Sequence, residues 1–354
     1  MKKLLLLAVL PFCAVSATPT SIISSIDSSS WSVNPLDYGF TAMDYQQVVA
    51  DQTFLQMQTQ AGGVNQFFHF QGLSKASDRW VVSPNNDTIY SIAIVDARKG
   101  FTLHVPDVGE RFLSIQVQDY NHTIPYYEYG GGLYELSGLD TDYVGVGVRI
   151  GTDGSEEDVQ RILEDIQPKL SIESKSSIPF EPLHDVDGAK FLELHNALVT
   201  HRDEEGMTSN GVAQYRIEDV KDWEVWTTVI AAQWGLSPDD TAMYPAFAPH
   251  GTLGNICYTA KFPKVPAKAF TSLTVYDSDA YLMSDEHSVI STLRGMDLDE
   301  DGGFTVAFGA EDCKGLAPNY LYTPEDNWTG LLRAYKPDVE KMLGYEMPKL
   351  IEVK

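Results

Sequence analysis

The stretch "VVSPNNDTIYSIAIVDARKG", residues 81–100, sets a polar corner directly against an apolar run. From Thr88 to Val95 nearly every side chain is apolar or aromatic, so the run reads as a β-strand covered on both faces. Pro84 presets one backbone dihedral, and Asn85, Asn86 and Asp87 can bond neighbouring peptide groups, which is the composition of a turn. Three polar side chains in a row exceed what a turn requires. They could equally rim a site at the mouth of a β-sandwich, with Asp87 as base or ligand, the amides orienting a polar guest and Tyr90 beside them.

Strand signals continue downstream. "FTLHVP" stops at Pro106, and "RFLSIQVQD" alternates, with Leu113, Ile115 and Val117 on one face and Ser114, Gln116 and Gln118 on the other. "DYVGVGVRIG", residues 142–151, is a further strand whose glycines predict close packing. The period then changes. "SEEDVQRILEDIQPKL" has Ser155 as N-cap and a helical stripe of Val159, Ile162, Leu163 and Ile166. "DGAKFLELHNALVTHR" and "VKDWEVWTTVIAAQWG" follow as helices, the latter stopping at Gly235, with Trp223, Trp226 and Trp234 as packing residues. Beyond about residue 253, "NICYTAKF", "KAFTSLTVYD", "GGFTVAFG" and "NWTGLLRAYKP" are short, turn-bounded strands of the sandwich or jelly-roll kind. The expected organisation is a signal peptide over 1–17, a loosely ordered leader over 18–40 and an N-terminal β-rich domain over 41–154. A helical block over 155–240 then joins it to a C-terminal β-sandwich over 253–354.

The opening residues fit export. Lys2 and Lys3 precede the apolar run Leu4–Cys13, and small residues lead to a cleavage site after Ala17. The run is too short to span a bilayer, and no later segment is long and apolar enough to do so. A formal net charge of −25 argues against a nucleic-acid partner, because phosphate binding needs Lys and Arg. Past the signal segment the cysteines are Cys257 and Cys313, which either form one disulfide in an oxidising compartment or stand as separate buried thiols.

Three further groups could carry chemistry. Arg111 opens the alternating strand and Asp119 closes it, with Gln116 between; Arg111 with a carboxylate would make a fork-shaped ion pair or a structural clamp. "DLDEDGG" places Asp297, Asp299 and Asp301 ahead of Gly302, the start of a calcium loop, but its twelfth position is Phe308, which excludes an EF-hand. A calcium-binding hairpin and a solvated acidic turn remain as alternatives. Sequons stand at Asn86, Asn121 and Asn327.

On these residues the chain resembles a paired family of exported bacterial proteins carrying the domains of unknown function DUF1254 and DUF1214. The first resemblance rests on Pro84, Asn85, Asp87, Thr88, Tyr90, Ser91, Val105, Pro106, Ser114, Gln116 and Asp119. The second rests on "AFTSLTVYDSDAYLM" and "NYLYTPEDNWTGLLRAYKP", with Thr271 and Tyr320 departing from the usual tryptophans. The resemblance implies two β-sandwich or jelly-roll-like domains joined by a helical segment, export, and homo-oligomers; it supplies no reaction. Two functions follow as expectations. One is an exported protein with a site for a small polar or carbohydrate-like ligand, hydrolytic or not, gathering Asn85, Asn86, Asp87, Tyr90, Arg111, Gln116 and Asp119 with Tyr276 from the second domain. The other is a non-catalytic binding or envelope protein of the same fold, and fold alone does not choose between them.

Overall fold

The computed structural model describes residues 26–79 and 82–353. The expected signal peptide, 1–17, lies outside the described residues. The first sandwich is built of β1 (Phe68–His69), β2 (Thr88–Asp96), β3 (Phe101–Val105), β4 (Leu113–Asp119), β5 (Tyr126–Tyr129), β6 (Gly132–Leu136), β7 (Tyr143–Gly151) and β8 (Ser171–Ser174). An antiparallel five-stranded sheet in the order β1-β2-β7-β4-β5 faces a three-stranded sheet in the order β6-β3-β8. Alternation decides what lies between them. Ile89, Ala93, Leu113, Ile115, Val117, Val144, Val146, Val148 and Ile150 point inward against Phe101, Leu103 and Val105.

The helical elements explain why β4 is buried at every position although its sequence alternates. α1 (Ala42–Ala61) begins at a Thr41–Asp44 capping box and ends at Gly62, whose φ of 81° suits a residue without a Cβ. Its Ala50, Phe54 and Met57 pack on Ile94, on the outer face of the five-stranded sheet. A short α2 (Glu156–Arg161) follows β7, and Ile162, Ile166 and Leu170 just beyond it join the inter-sheet core. α3 (Gly188–Glu205) and α4 (Trp223–Ala232) pack behind α1 through Phe191, Leu194, Leu198 and Ala231. Trp226 is buried with Trp223 edge-on at 5.3 Å, but α4 ends before Gly235 and leaves Trp234 exposed. Residues 26–40 also differ from the loose leader expected. Ser28 is buried and donates to Asn34, and Phe40 sits in the α1–α3 core. Among the described residues no helix is long and apolar enough to cross a membrane.

The second sandwich comprises β9 (Ala242–Met243), β10 (Ala246–Phe247), β11 (Tyr258–Phe262), β12 (Ala267–Tyr276), β13 (Val289–Ser291), β14 (Phe304–Gly309), β15 (Asn319–Tyr322), β16 (Thr329–Pro337) and β17 (Ile351–Glu352). The sheets run β10-β16-β12-β13, with β9 also on β16, and β15-β14-β11-β17, in which β14 and β15 are parallel. Phe262, Leu273, Val275, Phe304, Phe308, Trp328 and Leu332 fill the space between. Cys257 and Cys313 form a disulfide between the entry to β11 and the turn after β14, with Cα atoms 5.4 Å apart. A Cβ on Gly309 would fall 2.2 Å from Cys313 Sγ, so the bond needs glycine there.

The acidic turn before β14 is not arranged as a calcium site. Lys261 Nζ lies 3.3 Å from both Asp299 and Asp301, Asp301 accepts from Gly303 N, and Asp297 N turns away to Asn319. An ammonium holds the place a cation would take. Among the sequons, Asn86 and Asn121 are buried and bonded within the fold, whereas Asn327 is exposed.

Candidate functional site

The two sandwiches meet where β2 begins. Asp87 is fully buried there; its backbone N–H donates to Asn85 Oδ1, and Ser272 Oγ of β12 donates to its Oδ2 at 2.5 Å. Burial raises the Asp87 carboxyl above the ordinary carboxylate range, opposed chiefly by the charge of Arg333. Arg333 of β16 is itself buried and donates to Thr274 Oγ1 (2.7 Å), Tyr276 Oη (2.7 Å) and Ser83 O (3.2 Å). Tyr276 donates onward to Pro84 O at 2.9 Å, and Arg294 donates to Asn86 O. Asn86 exchanges two bonds with the Ser74 backbone, and Asn85 donates to Tyr335 Oη at 2.6 Å and Tyr90 Oη at 3.1 Å. Nearly every polar atom of the corner is therefore engaged in joining one sandwich to the other. Asp87 Oδ1, Thr88 Oγ1 and Arg294 Nε, buried without a hydrogen bond, are the exceptions.

Arg111, Gln116 and Asp119 do not converge on that corner. Arg111 makes a fork-shaped ion pair with Asp158 of α2, which draws the Asp158 carboxyl down to about 2, and also donates to Gly151 O. Asp119 lies eight residues further along an extended strand, roughly 26 Å away. It caps its own loop by accepting from Asn121 N, Thr123 N and Thr123 Oγ1, and burial pushes it up to about 6. Gln116 is held by Gly235 O, Leu236 O and Ser237 Oγ. Asp87, expected as base or ligand, and Asp119, expected beside it, are each held by their own neighbours and sit at opposite ends of the sheet.

A different arrangement stands on the outer face of the same sheet. Because Val144, Val146, Val148 and Ile150 face inward, Gly145, Gly147 and Arg149 face outward. Register sets Ile92 and Gln116 on either side of Gly147, and Tyr90 and Ser114 on either side of Arg149, with Tyr127 beyond Gln116 and Tyr129 beyond Ser114. At one end α1 covers the face, with Phe54 3.5 Å from where a Gly145 Cβ would lie. At the other end Tyr244 and Tyr335 of the second sandwich approach. Over Gly147, between the two, a Cβ would meet nothing within 4 Å among the described residues. Here a glycine marks an open space, not the close packing its sequence predicts.

Arg149 beside this hollow has one hydrogen bond, from Nη1 to Ser237 Oγ at 2.9 Å, and its guanidinium lies 5.6 Å from the Tyr90 ring centre. No ion pair joins it to a described carboxylate. Its ionisable neighbours are the phenols of Tyr90, Tyr244, Tyr127 and Tyr335. Around it, the buried Ser114 Oγ and Tyr127 Oη lack hydrogen-bond partners among the described residues. Buried polar atoms are normally satisfied, so two orphans on one face beside an uncompensated cation mark a place where something else supplies partners.

Tyr90 and Gln116 of the expected set border this face, and Asn85 reaches it through Tyr90. Gly147, Arg149, Tyr127 and Tyr244 are additions. The signal for two of them was present in "VGVGVRIG", where alternation puts glycines and an arginine on a single face. As a metal cluster, the described residues offer Cys257, Asp312 and Cys313, whose two sulfurs are already joined to each other.

The comparisons with known proteins agree with the architecture and are silent on chemistry. No curated protein matches the chain. A crystal structure of a protein from Vibrio parahaemolyticus is similar at a TM-score of 0.67 and 16% identity, covering 88% of this chain and 98% of that one. An uncharacterized protein from Burkholderia cenocepacia is similar at a TM-score of 0.54 and 16% identity, over 90% of this chain and 89% of its own. These likenesses concern the fold. A model of a protein of unknown function, DUF1254, matches residues 64–133, and a second, DUF1214, matches residues 249–339. The chain therefore belongs with the proteins that pair a DUF1254 domain with a DUF1214 domain.

Proposed function

We propose that this is an exported binding protein whose site for a small polar guest is the hollow over Gly147, on the outer face of the first sandwich where the second approaches it. The observation that carries the reading is the open space above a mid-strand glycine next to an arginine with no acidic partner. Glycine inside a strand costs stability and suits a place where a ligand or another backbone comes close; here no described residue comes within 4 Å of a Gly147 Cβ. A hydrolytic role loses support because Asp87 and Asp119 are both committed elsewhere. Export is supported by the basic, apolar and small-residue order of 1–17 and agrees with a disulfide between Cys257 and Cys313.

The test is to fill the hollow. Gly147→Val adds a β-branched side chain that suits a strand and occupies the open space. Compounds that raise the melting temperature of the wild type in a thermal-shift screen should leave this variant unmoved, while its ligand-free melting temperature stays close to that of the wild type. Stabilisation that persists undiminished in Gly147→Val places the guest elsewhere.

A further inference from the structure

Resting on that reading, we infer that the guest of the Gly147 hollow is a small organic monocarboxylate with an apolar body, its carboxylate taken by Arg149. Three features of the site select this class. The first is charge. In a chain of net charge −25, Arg149 stands half-buried at the junction with no described carboxylate paired to it, and its visible partners are neutral oxygens and rings. Asp240, further along the chain, is held by Tyr215 at 2.8 Å, and Asp87 is held by Ser272. A guanidinium so placed keeps its positive charge, and the group that satisfies its planar fork is a carboxylate bound through two parallel hydrogen bonds. Lys336 Nζ is engaged over the Tyr129 ring, 3.6 Å from its centre, and leaves Arg149 as the cation facing the space.

The second feature is the donors. Tyr127 Oη and Ser114 Oγ flank Arg149 and Gln116 on the sheet and are buried without partners, so each has a hydroxyl hydrogen to offer a carboxylate oxygen. One forked cation with two hydroxyl donors matches a single negative charge; a phosphate dianion would call for more cationic partners. The third feature is the lining. Ile92 on one side of Gly147 and the ring of Tyr90 give the hollow apolar walls, suited to a hydrocarbon body behind the charged head.

The experiment compares acids with their neutral amides at constant ionic strength: acetate, butyrate and benzoate against acetamide, butyramide and benzamide. Binding to the full chain is followed by thermal shift and by ligand-observed NMR. The inference expects at least one acid to bind the wild type, its amide to bind at least about tenfold more weakly, as suits loss of a charge-assisted fork, and the acid's binding to be lost in both Arg149→Gln and Gly147→Val. Amides binding as well as acids, with both lost in Gly147→Val, would overturn the carboxylate while leaving the hollow as the site. Acids binding equally to Gly147→Val would overturn the site itself. Failure of every acid to bind the wild type would overturn the monocarboxylate class.

Discussion

Asp87, buried just ahead of β2, and Arg149, half-buried on the adjoining β7, are two charges on one sheet, and the protein treats them oppositely. Around Asp87, both sandwiches supply partners: Ser272, Arg333, Arg294 and the turn of Asn85 and Asn86. Around Arg149, there is a serine hydroxyl, a set of phenols, orphaned polar atoms and an open floor. A charge whose neighbours are all committed holds a fold together. A half-buried charge left short of partners costs stability, and we read it as kept for something that binds.

The comparison is broken most forcefully at the closed corner. Arg333→Met leaves Asp87 without its strongest compensating charge and strands Tyr276 Oη and the Ser83 carbonyl, so a loss of roughly 3–5 kcal/mol in urea unfolding is expected. A loss under about 1 kcal/mol would mean the corner is not a clamp. The disulfide sharpens the contrast from a site remote from both charges. Cys257→Ser opens a loop spanning a sequence separation of 56 and should cost about 2–4 kcal/mol, while ligand response at the Gly147 hollow is retained.

Asp119 supplies a third charge, with a pH signature. Its folded carboxyl sits at about 6, above the unfolded value near 4, so the folded state holds the proton to higher pH. The stability this contributes is full below about pH 4 and is lost as pH rises through 6. Asp119→Asn keeps an oxygen for Asn121 N and Thr123 N but cannot ionise. Wild type should therefore lose up to about 3 kcal/mol relative to the variant between pH 4 and 7, measured as the difference of two urea-midpoint profiles. Parallel profiles would remove Asp119 from the account. The smallest effect is expected at the floor of the hollow. Gly147 does not have positive φ, so Gly147→Ala should be neutral or stabilising by about 0.5–1 kcal/mol. Destabilisation there would show that the space is closed.

These contrasts also mark what a single sequence can carry. The alternation of Leu113, Ile115 and Val117 and the run from Thr88 to Val95 disclose strand, face and core, because period and burial are local properties. The Trp226 packing was legible for the same reason. The role of Asp87 was not, since its partner Ser272 is 185 residues distant, and a polar triplet looks the same whether it faces water or a neighbouring sandwich. The hollow was half legible: "VGVGVRIG" shows which face holds Gly147 and Arg149, but whether anything covers that face depends on α1 and the second sandwich. The acidic turn misled in another way, because the cation it holds, Lys261, comes from a strand many residues upstream.

The most direct measurement is the urea-unfolding free energy of ligand-free Arg149→Met at low salt, set beside that of wild type. If Arg149 is a binding group held at a cost, replacing it with a flexible apolar side chain of similar length leaves stability unchanged or raises it. A loss approaching that of Arg333→Met would show that Arg149 is a second structural clamp and that the hollow beside it is not a site.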